Sequence, residues 1–139
     1  MGITVSQYFG VGDDTLWNPS NTVARLFLRQ AAVFEAELGL PSGIGPMDND
    51  ECDIDPDVLG KFARALLAHY RRTHHPVLAV LCEGFLATLL VLAERAGIDV
   101  SGTAAGKDDA SVPGDPGDPG AAAHRLRTMM EAVGPAMAR

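Results

Sequence analysis

The chain has 139 residues, of which 47% are hydrophobic and 21% are charged, proportions typical of a globular protein. A chain of this length forms one hydrophobic core and buries about two thirds of its unfolded surface. The formal net charge of −7 argues against nucleic acids and anionic membranes as partners, because both are polyanions that would repel the protein. A basic protein is the partner that this charge favours.

The compartment is predicted from the N-terminus and the cysteines. Residues 1–5 show no basic region followed by an apolar run, so no secretory signal is expected. Cys52 and Cys82 show no pairing pattern, which predicts reduced thiols in a cytoplasmic protein. The longest apolar stretch, residues 77–93, has Glu83 within it. Because a charge inside a membrane span is costly, we interpret this stretch as a buried helix.

The first predicted elements are a short β-hairpin and a helix. Residues 5–11 alternate weakly between apolar and polar side chains, and Gly12-Asp13 separates them from a second short arm ending at Trp17. Asn18-Pro19 then predicts a helix start and Gly39 a helix end. One side of this first helix is apolar and is expected to face the core: Val23, Leu26, Phe27, Ala31, Val33, Phe34 and Leu38.

Two more helices follow a predicted loop over residues 41–55. Asp55-Pro56 repeats the cap-plus-proline signal and begins a second helix that runs to about Thr73. Its apolar face collects Val58, Leu59, Phe62, Ala65, Leu66 and His69. His75-Pro76 interrupts the chain, and a third helix extends from there to Ala96. This third helix is apolar on nearly all sides, so we expect it to be packed by neighbours on several sides.

The C-terminal part changes composition. Residues 99–120 are dominated by Gly, Ala, Ser, Asp and Pro and are predicted to be a flexible linker. Residues 121–133 regain a helical period, and this fourth helix either packs on the others or is held for a partner. The predicted organisation is thus a mainly α domain over 1–98 with a three-helix core and an N-terminal hairpin, a linker over 99–120, and a C-terminal helix within 121–139.

The most unusual local feature is a run of carboxylates before and at the start of the second helix. It contains Asp48, Asp50, Glu51, Asp53, Asp55 and Asp57. Neither register of a calcium-binding loop fits, because Val58 stands where the loop needs glycine and Leu59 or Arg64 stands where it needs glutamate. A solvated loop and helix start explains most of the cluster, and docking of a basic partner is the functional alternative.

Histidines and one glutamate are the other candidates. Cysteine and histidine spacing does not match a zinc site, and no metal or cofactor is expected. His69 lies on an apolar helix face, which indicates either a packed core histidine or the base of a pocket together with Trp17, Tyr70 and Glu83. The helical wheel places Glu83 on the one exposed or small-residue edge of the third helix. A buried ion pair with Arg25, Arg29 or Arg71 is the alternative.

Several strings resemble a family of small uncharacterised actinobacterial proteins. They are Ser6-Gln7-Tyr8-Phe9, Leu16-Trp17-Asn18-Pro19-Ser20-Asn21, Gly45-Pro46-Met47, Asp50-Glu51-Cys52, His75-Pro76-Val77-Leu78 and Leu92-Ala93-Glu94-Arg95-Ala96-Gly97. The resemblance covers about residues 6–97. It implies no activity and no catalytic residue.

The sequence therefore supports two functional expectations of different class. The first is a non-enzymatic protein-interaction module, immunity-like or pathway-accessory, that presents the Asp48–Asp57 carboxylates to a basic partner. The second is a small-molecule-binding protein or enzyme with a pocket around His69 and Trp17. Self-association through the third or the last helix is a further, weaker expectation.

Overall fold

The computed structural model describes residues 6–100 and 119–139. In the described part, four α-helices and a small sheet share one hydrophobic core. The strands are β1 (Tyr8–Val11), β2 (Asp14–Trp17) and β3 (Glu51–Asp53). The helices are α1 (Asn21–Leu38), α2 (Pro56–Arg72), α3 (Pro76–Arg95) and α4 (Pro119–Val133), and a 3₁₀ turn follows at Gly134–Ala136. The mainly helical fold with an N-terminal hairpin is confirmed.

The sheet contains one strand more than the sequence predicted. Its order is β2-β1-β3, with β1 antiparallel to β2 and parallel to β3. The predicted loop over residues 41–55 is therefore wrong at Glu51–Asp53. This strand was missed because it has three residues and only one of them, Cys52, points inward, so it has almost no hydrophobic period of its own.

The helix starts follow the predicted chemistry, with one shift along the chain. Ser20, not Asn18, caps α1, and its Oγ accepts a hydrogen bond of 3.3 Å from the Val23 N–H. Asn18 instead donates its backbone N–H to Ala138 O at 2.7 Å. Asp55 and Pro56 begin α2 as expected, and Gly39 ends α1 in the left-handed conformation.

An aromatic cluster joins the sheet to α1 and α3. Phe9 stacks on Trp17 at a centroid distance of 5.2 Å, and Phe27 meets both rings edge-on. Phe85 of α3 stacks on Phe27 at 5.1 Å and on Phe34 at 5.0 Å. These contacts fix α1 and the hairpin against α3.

The last helix is packed into the core. Leu126, Met130 and Met137 are buried in the same cluster as the first three helices. Arg95 at the end of α3 donates hydrogen bonds to the carbonyls of Leu16, Gly134 and Met137 at 2.9, 3.0 and 2.7 Å. Of the two expectations for the fourth helix, packing on the others is the one observed.

The edges of the predicted linker differ from the structure. Val100 is buried, the Asp99 carbonyl accepts a hydrogen bond of 3.2 Å from Arg64, and α4 begins at Pro119. The rest of the predicted linker, 101–118, lies outside the described residues.

The third helix is less enclosed than its composition predicted. By length and hydropathy α3 is the one described helix that could cross a membrane, and 56% of that apolar window is buried. Its C-terminal half is buried, but Val77, Leu78, Val80 and Leu81 in its first two turns are exposed. Neighbours therefore cover the C-terminal half of the helix, and its first two turns carry exposed apolar side chains.

Candidate functional site

All six carboxylates of the run before α2 lie on the protein surface. Residues of β3 and the segment after it alternate, so that Cys52 and Ile54 are buried while the acidic residues point to solvent. We call this set the acidic surface: Asp48, Asp50, Glu51, Asp53, Asp55 and Asp57. Within residues 6–100 and 119–139, none of the six forms an ion pair.

Backbone hydrogen bonds hold the acidic surface in a fixed shape. Asp48 and Glu51 exchange two of them, at 2.8 and 2.9 Å, across a two-residue turn. The turn residues Asn49 and Asp50 have φ angles of 51° and 64°, the left-handed values that a type I′ turn requires at both central positions. Tyr8 of β1 donates its N–H to Asp50 O at 2.8 Å, which ties the turn to the sheet.

The second part of the acidic surface belongs to the start of α2. Asp55 Oδ1 accepts hydrogen bonds from the Asp57 and Val58 N–H groups at 3.1 and 3.3 Å. Asp57 is the acidic residue in the first turn, where the helix dipole favours negative charge. Capping therefore accounts for one oxygen of Asp55. Gln7 Nε2 donates a hydrogen bond of 3.4 Å to Asp50 Oδ1, and the other carboxylates of the surface face the solvent.

A shallow depression of about 510 Å³ lies beside the acidic surface. Three acidic residues are among those that line it, Glu35, Asp53 and Asp55. Glu35 is held in place because its Oε2 accepts hydrogen bonds from the backbone N–H and the hydroxyl of Ser42, at 2.8 and 2.7 Å. An arginine or lysine side chain from outside would meet this group of negative charges.

The four residues of the predicted pocket do not meet in one cavity. Trp17 lines a groove of about 370 Å³ between α1 and α3. Tyr70 lines a cavity of about 250 Å³ between α2, α3 and α4. His69 is half-buried and lines neither of them. On α2, it is Tyr70, not His69, that continues the buried stripe.

Glu83 is buried, with a relative exposure of 6%, so it does not lie on an exposed edge. The buried ion pair is observed, but its arginine is Arg125 and not one of the three that the sequence suggested. Its Oε1 accepts hydrogen bonds from the Tyr70 hydroxyl at 2.7 Å and from Arg125 Nε at 3.2 Å. Burial, and then the hydrogen bond to Glu83, raises the pKa of Tyr70 to about 12. The helical wheel failed because α4, which covers this side of α3, is distant in sequence.

The groove between α1 and α3 is a feature that the sequence analysis missed. Phe27 and Phe85 form its floor, Leu26 and Gly84 lie on its two sides, and none of its lining residues is charged. Val23 and Leu26 of the groove are exposed. Seven large hydrophobic side chains of α1 and α3 are exposed in all, and we call them the α1–α3 face: Val23, Leu26, Val33, Val77, Leu78, Val80 and Leu81. The sequence shows that these residues are apolar, which predicts that they are buried in the core; the structure shows that they are exposed.

The two thiols are poor nucleophiles. Both cysteines are buried and unpaired. Burial raises the pKa of Cys52 to about 12, and the Cys52 Sγ donates to Gly45 O at 2.8 Å. Burial also raises the pKa of Cys82, with smaller contributions from Glu83 and Glu37. Because the thiolate is the reactive form, neither position is suited to covalent chemistry.

Metal-ligating side chains do not converge in the part of the chain that the structure describes. No group of three His, Cys, Asp or Glu side chains there could hold a metal ion.

Comparison with known proteins identifies a family. The model of a family of unknown function, DUF6086, matches residues 5–139. The chain belongs to this family. The match extends beyond the resemblance seen in residues 6–97 and includes α4, as expected if α4 is part of the common fold. Searches of curated proteins and of solved structures found no match.

Proposed function

We propose that this member of the DUF6086 family is a non-enzymatic interaction module that holds a basic protein partner at its acidic surface. The observation that carries the proposal is the unneutralised state of that surface: within the described residues its six exposed carboxylates have no ion-pair partner. Clustered charges of one sign raise the association rate of an oppositely charged partner and exclude partners of like charge.

The fixed geometry of the acidic surface supports the proposal. The type I′ turn and the capped start of α2 hold the carboxylates on ordered backbone, so little conformational entropy is lost when a partner binds. The depression lined by Glu35, Asp53 and Asp55 offers a place for one cationic side chain. Two of the polar groups that could perform chemistry, the Tyr70 hydroxyl and the Glu83 carboxylate, are bonded to each other, and Glu83 also accepts from Arg125.

A defined probe tests the proposal. The probe is a synthetic lysine-rich peptide labelled with a fluorophore, and the reference is the same peptide with glutamine in place of lysine. We expect the full chain to bind the lysine peptide alone, with an affinity that falls as salt rises. The triple variant Asp48→Asn/Glu51→Gln/Asp53→Asn should bind roughly tenfold more weakly, since an exposed ion pair contributes up to about 1 kcal/mol.

A variant of equal charge provides the control. Asp13→Asn/Asp14→Asn/Glu131→Gln changes three exposed acidic residues outside the acidic surface. This control should retain the affinity of the parent chain. Equal weakening by the two triple variants would show that only net charge matters, and equal binding of the two peptides would refute a basic partner.

The cavity between α2, α3 and α4 supports a second candidate function, the binding of a small apolar molecule. Leu67, Leu90 and Met130 line it together with the Tyr70 ring, a mixture typical of ligand pockets. Ala123 also lines it. If a fluorescent hydrophobic dye binds there, Ala123→Leu should displace the dye and leave binding of the lysine peptide unchanged. Dye binding that is unaffected by this substitution would contradict the second candidate.

A further inference from the structure

We propose that a second copy of this chain covers the α1–α3 face, so that the protein forms a homodimer by pairing this face with itself. The acidic surface is not part of this interface, so the inference goes beyond the proposed function and does not depend on it.

The exposed apolar side chains of the chain are concentrated on this face. Of nine large hydrophobic residues that are exposed in the described ranges, seven belong to it, and the others are Tyr8 and Leu40. Leu26 is 57% exposed, Val80 is 66% exposed and Leu81 is 69% exposed. Such concentration distinguishes an interface from the scattered apolar residues of ordinary surfaces.

Contacts between the helices place the exposed side chains of α1 and α3 near one another. Phe34, next to Val33 on α1, stacks on Phe85 of α3 at 5.0 Å. The carboxylate of Glu37 lies close enough to Cys82 to contribute to its raised pKa. The C-terminal half of α1 therefore runs beside the first turns of α3, where Val77, Val80 and Leu81 are exposed.

The exposed apolar area suits a dimer. The seven side chains together expose on the order of 600 Å², at the upper limit for the largest apolar patch of a monomer. A standard interface buries about 800 Å² on each partner, and the groove between α1 and α3 supplies additional area. Together, the seven side chains and the groove approach the area that such an interface needs.

The distribution of charge favours a second copy over a foreign partner. Two copies that each carry a net charge of −7 repel one another unless the contact lies away from the acidic residues. The groove has no charged lining residue and is bounded by Trp17 of β2, whereas the acidic surface lies on β3 at the opposite edge of the sheet. The lining of the groove also carries no electrostatic signal with which to select a different protein.

The centre of the face permits close approach of two helices. Val77, Leu81, Gly84 and Thr88 follow one another along one side of α3 at helical spacing. A Cβ added at Gly84 would meet no atom within 4 Å, so the helix is open to a neighbour at this point. A two-fold axis near Gly84 would place each α3 against the other, in the self-complementary arrangement of an isologous dimer.

Sedimentation equilibrium of the full chain tests the inference. We expect a mass of twice 14.6 kDa that dissociates on dilution, with little weakening when salt is raised, because the interface is apolar. Leu26→Glu, Val80→Glu and Leu81→Glu should each shift dissociation to at least tenfold higher concentration. These side chains are more than half exposed, so circular dichroism should show an unchanged fold.

Tyr8→Glu is the control, because Tyr8 is an exposed apolar residue outside the face. It should dimerise like the parent chain. A parent chain that stays at 14.6 kDa up to the highest soluble concentration would overturn the inference, as would a dimer that the three face variants leave intact. The lysine-peptide assay is carried out on the variant Leu81→Glu, which should be monomeric. Peptide binding by this variant would support the acidic surface whether or not the parent chain dimerises, so the two proposals are tested independently.

Discussion

At the scale of single residues, a few side chains with many partners determine how the elements meet. Glu83 is one of them, because its buried carboxylate joins α2 through Tyr70 and α4 through Arg125. Gly43 is another. It has a φ of 77°, and a Cβ at this position would lie 2.7 Å from Leu59 N and 2.8 Å from Asp55 O. The effect of both residues depends on atoms that are distant in sequence and close in space, and no local sequence pattern predicts those atoms.

Tyr70→Phe should destabilise the protein by about 1.5–3 kcal/mol, the usual contribution of a hydrogen bond to a charged group. The substitution removes the hydroxyl that donates to Glu83 and leaves the packing of the ring intact. Urea unfolding measures the change. Tyr8→Phe is the matched control, since Tyr8 is exposed, and it should change stability by less than about 0.5 kcal/mol. Equal effects of the two substitutions would contradict the role assigned to Tyr70.

The same hydrogen bond gives the stability a pH dependence at alkaline pH. The pKa of Tyr70 is raised from 10.0 to about 12 in the folded protein. Folding therefore benefits fully from the protonated hydroxyl below pH 10, and this benefit falls as pH rises to about 12, by up to about 1.4 kcal/mol per pH unit. The stability difference between the parent chain and Tyr70→Phe should shrink over this interval.

Gly43→Ala should destabilise the protein by at least about 3 kcal/mol, because backbone atoms of α2 occupy the position of the new methyl group. Gly12→Ala is the control for conformation alone, since Gly12 has a φ of 58° and open space around it. It should cost about 1–2 kcal/mol. Thermal unfolding of both variants separates the steric cost from the cost of a positive φ, and similar losses would show that the close contact at Gly43 is unimportant.

At the scale of secondary-structure elements, the acidic strand shows how a weak local signal is completed by tertiary contacts. β3 pairs with β1, and the turn at Asn49 and Asp50 joins β3 to the residues before it. The sequence showed the carboxylates but not the strand. The start of α2 and the end of α1 follow directly from the sequence. Asp55, Pro56 and Gly39 are local signals whose effects need no distant partner.

Asp50→Gly should preserve or slightly raise stability, because glycine adopts the φ of 64° at this position without strain. Asp50→Val should lower stability by about 1–2 kcal/mol, since a β-branched residue is disfavoured there. The two variants remove the same charge, so their difference in melting temperature isolates the turn geometry. Asp48→Val, next to the turn, is the control. If the glycine and valine variants were equally stable, the turn would not constrain Asp50.

At the scale of the whole molecule, one hydrophobic core links the sheet to all four helices. The Arg95 hydrogen bonds to Leu16, Gly134 and Met137 connect the hairpin with the C-terminal residues. The two cysteines lie at two different places in this core. Cys52 lies in β3 and Cys82 lies in α3, and both are buried.

Thiol labelling should show that the sheet and α3 unfold together. We expect both cysteines to resist a thiol reagent in the native protein and to react with the same free energy of opening, because a cooperative core exposes them in one step. Cys52→Ala and Cys82→Ala variants allow each thiol to be followed alone. Faster labelling of Cys52 would contradict a single unfolding unit and would show that the sheet opens on its own.

The sequence by itself determined the mainly helical fold, the capped start of α2, the left-handed residue after α1 and the exposure of the six carboxylates. These features depend on neighbours within a few residues, where capping, backbone conformation and hydration act. The tertiary structure alone decided three other features: the strand at Glu51–Asp53, the burial of Glu83 and the exposure of the α1–α3 face. Each depends on which elements cover one another, and a helical wheel shows apolar character without showing what packs against it.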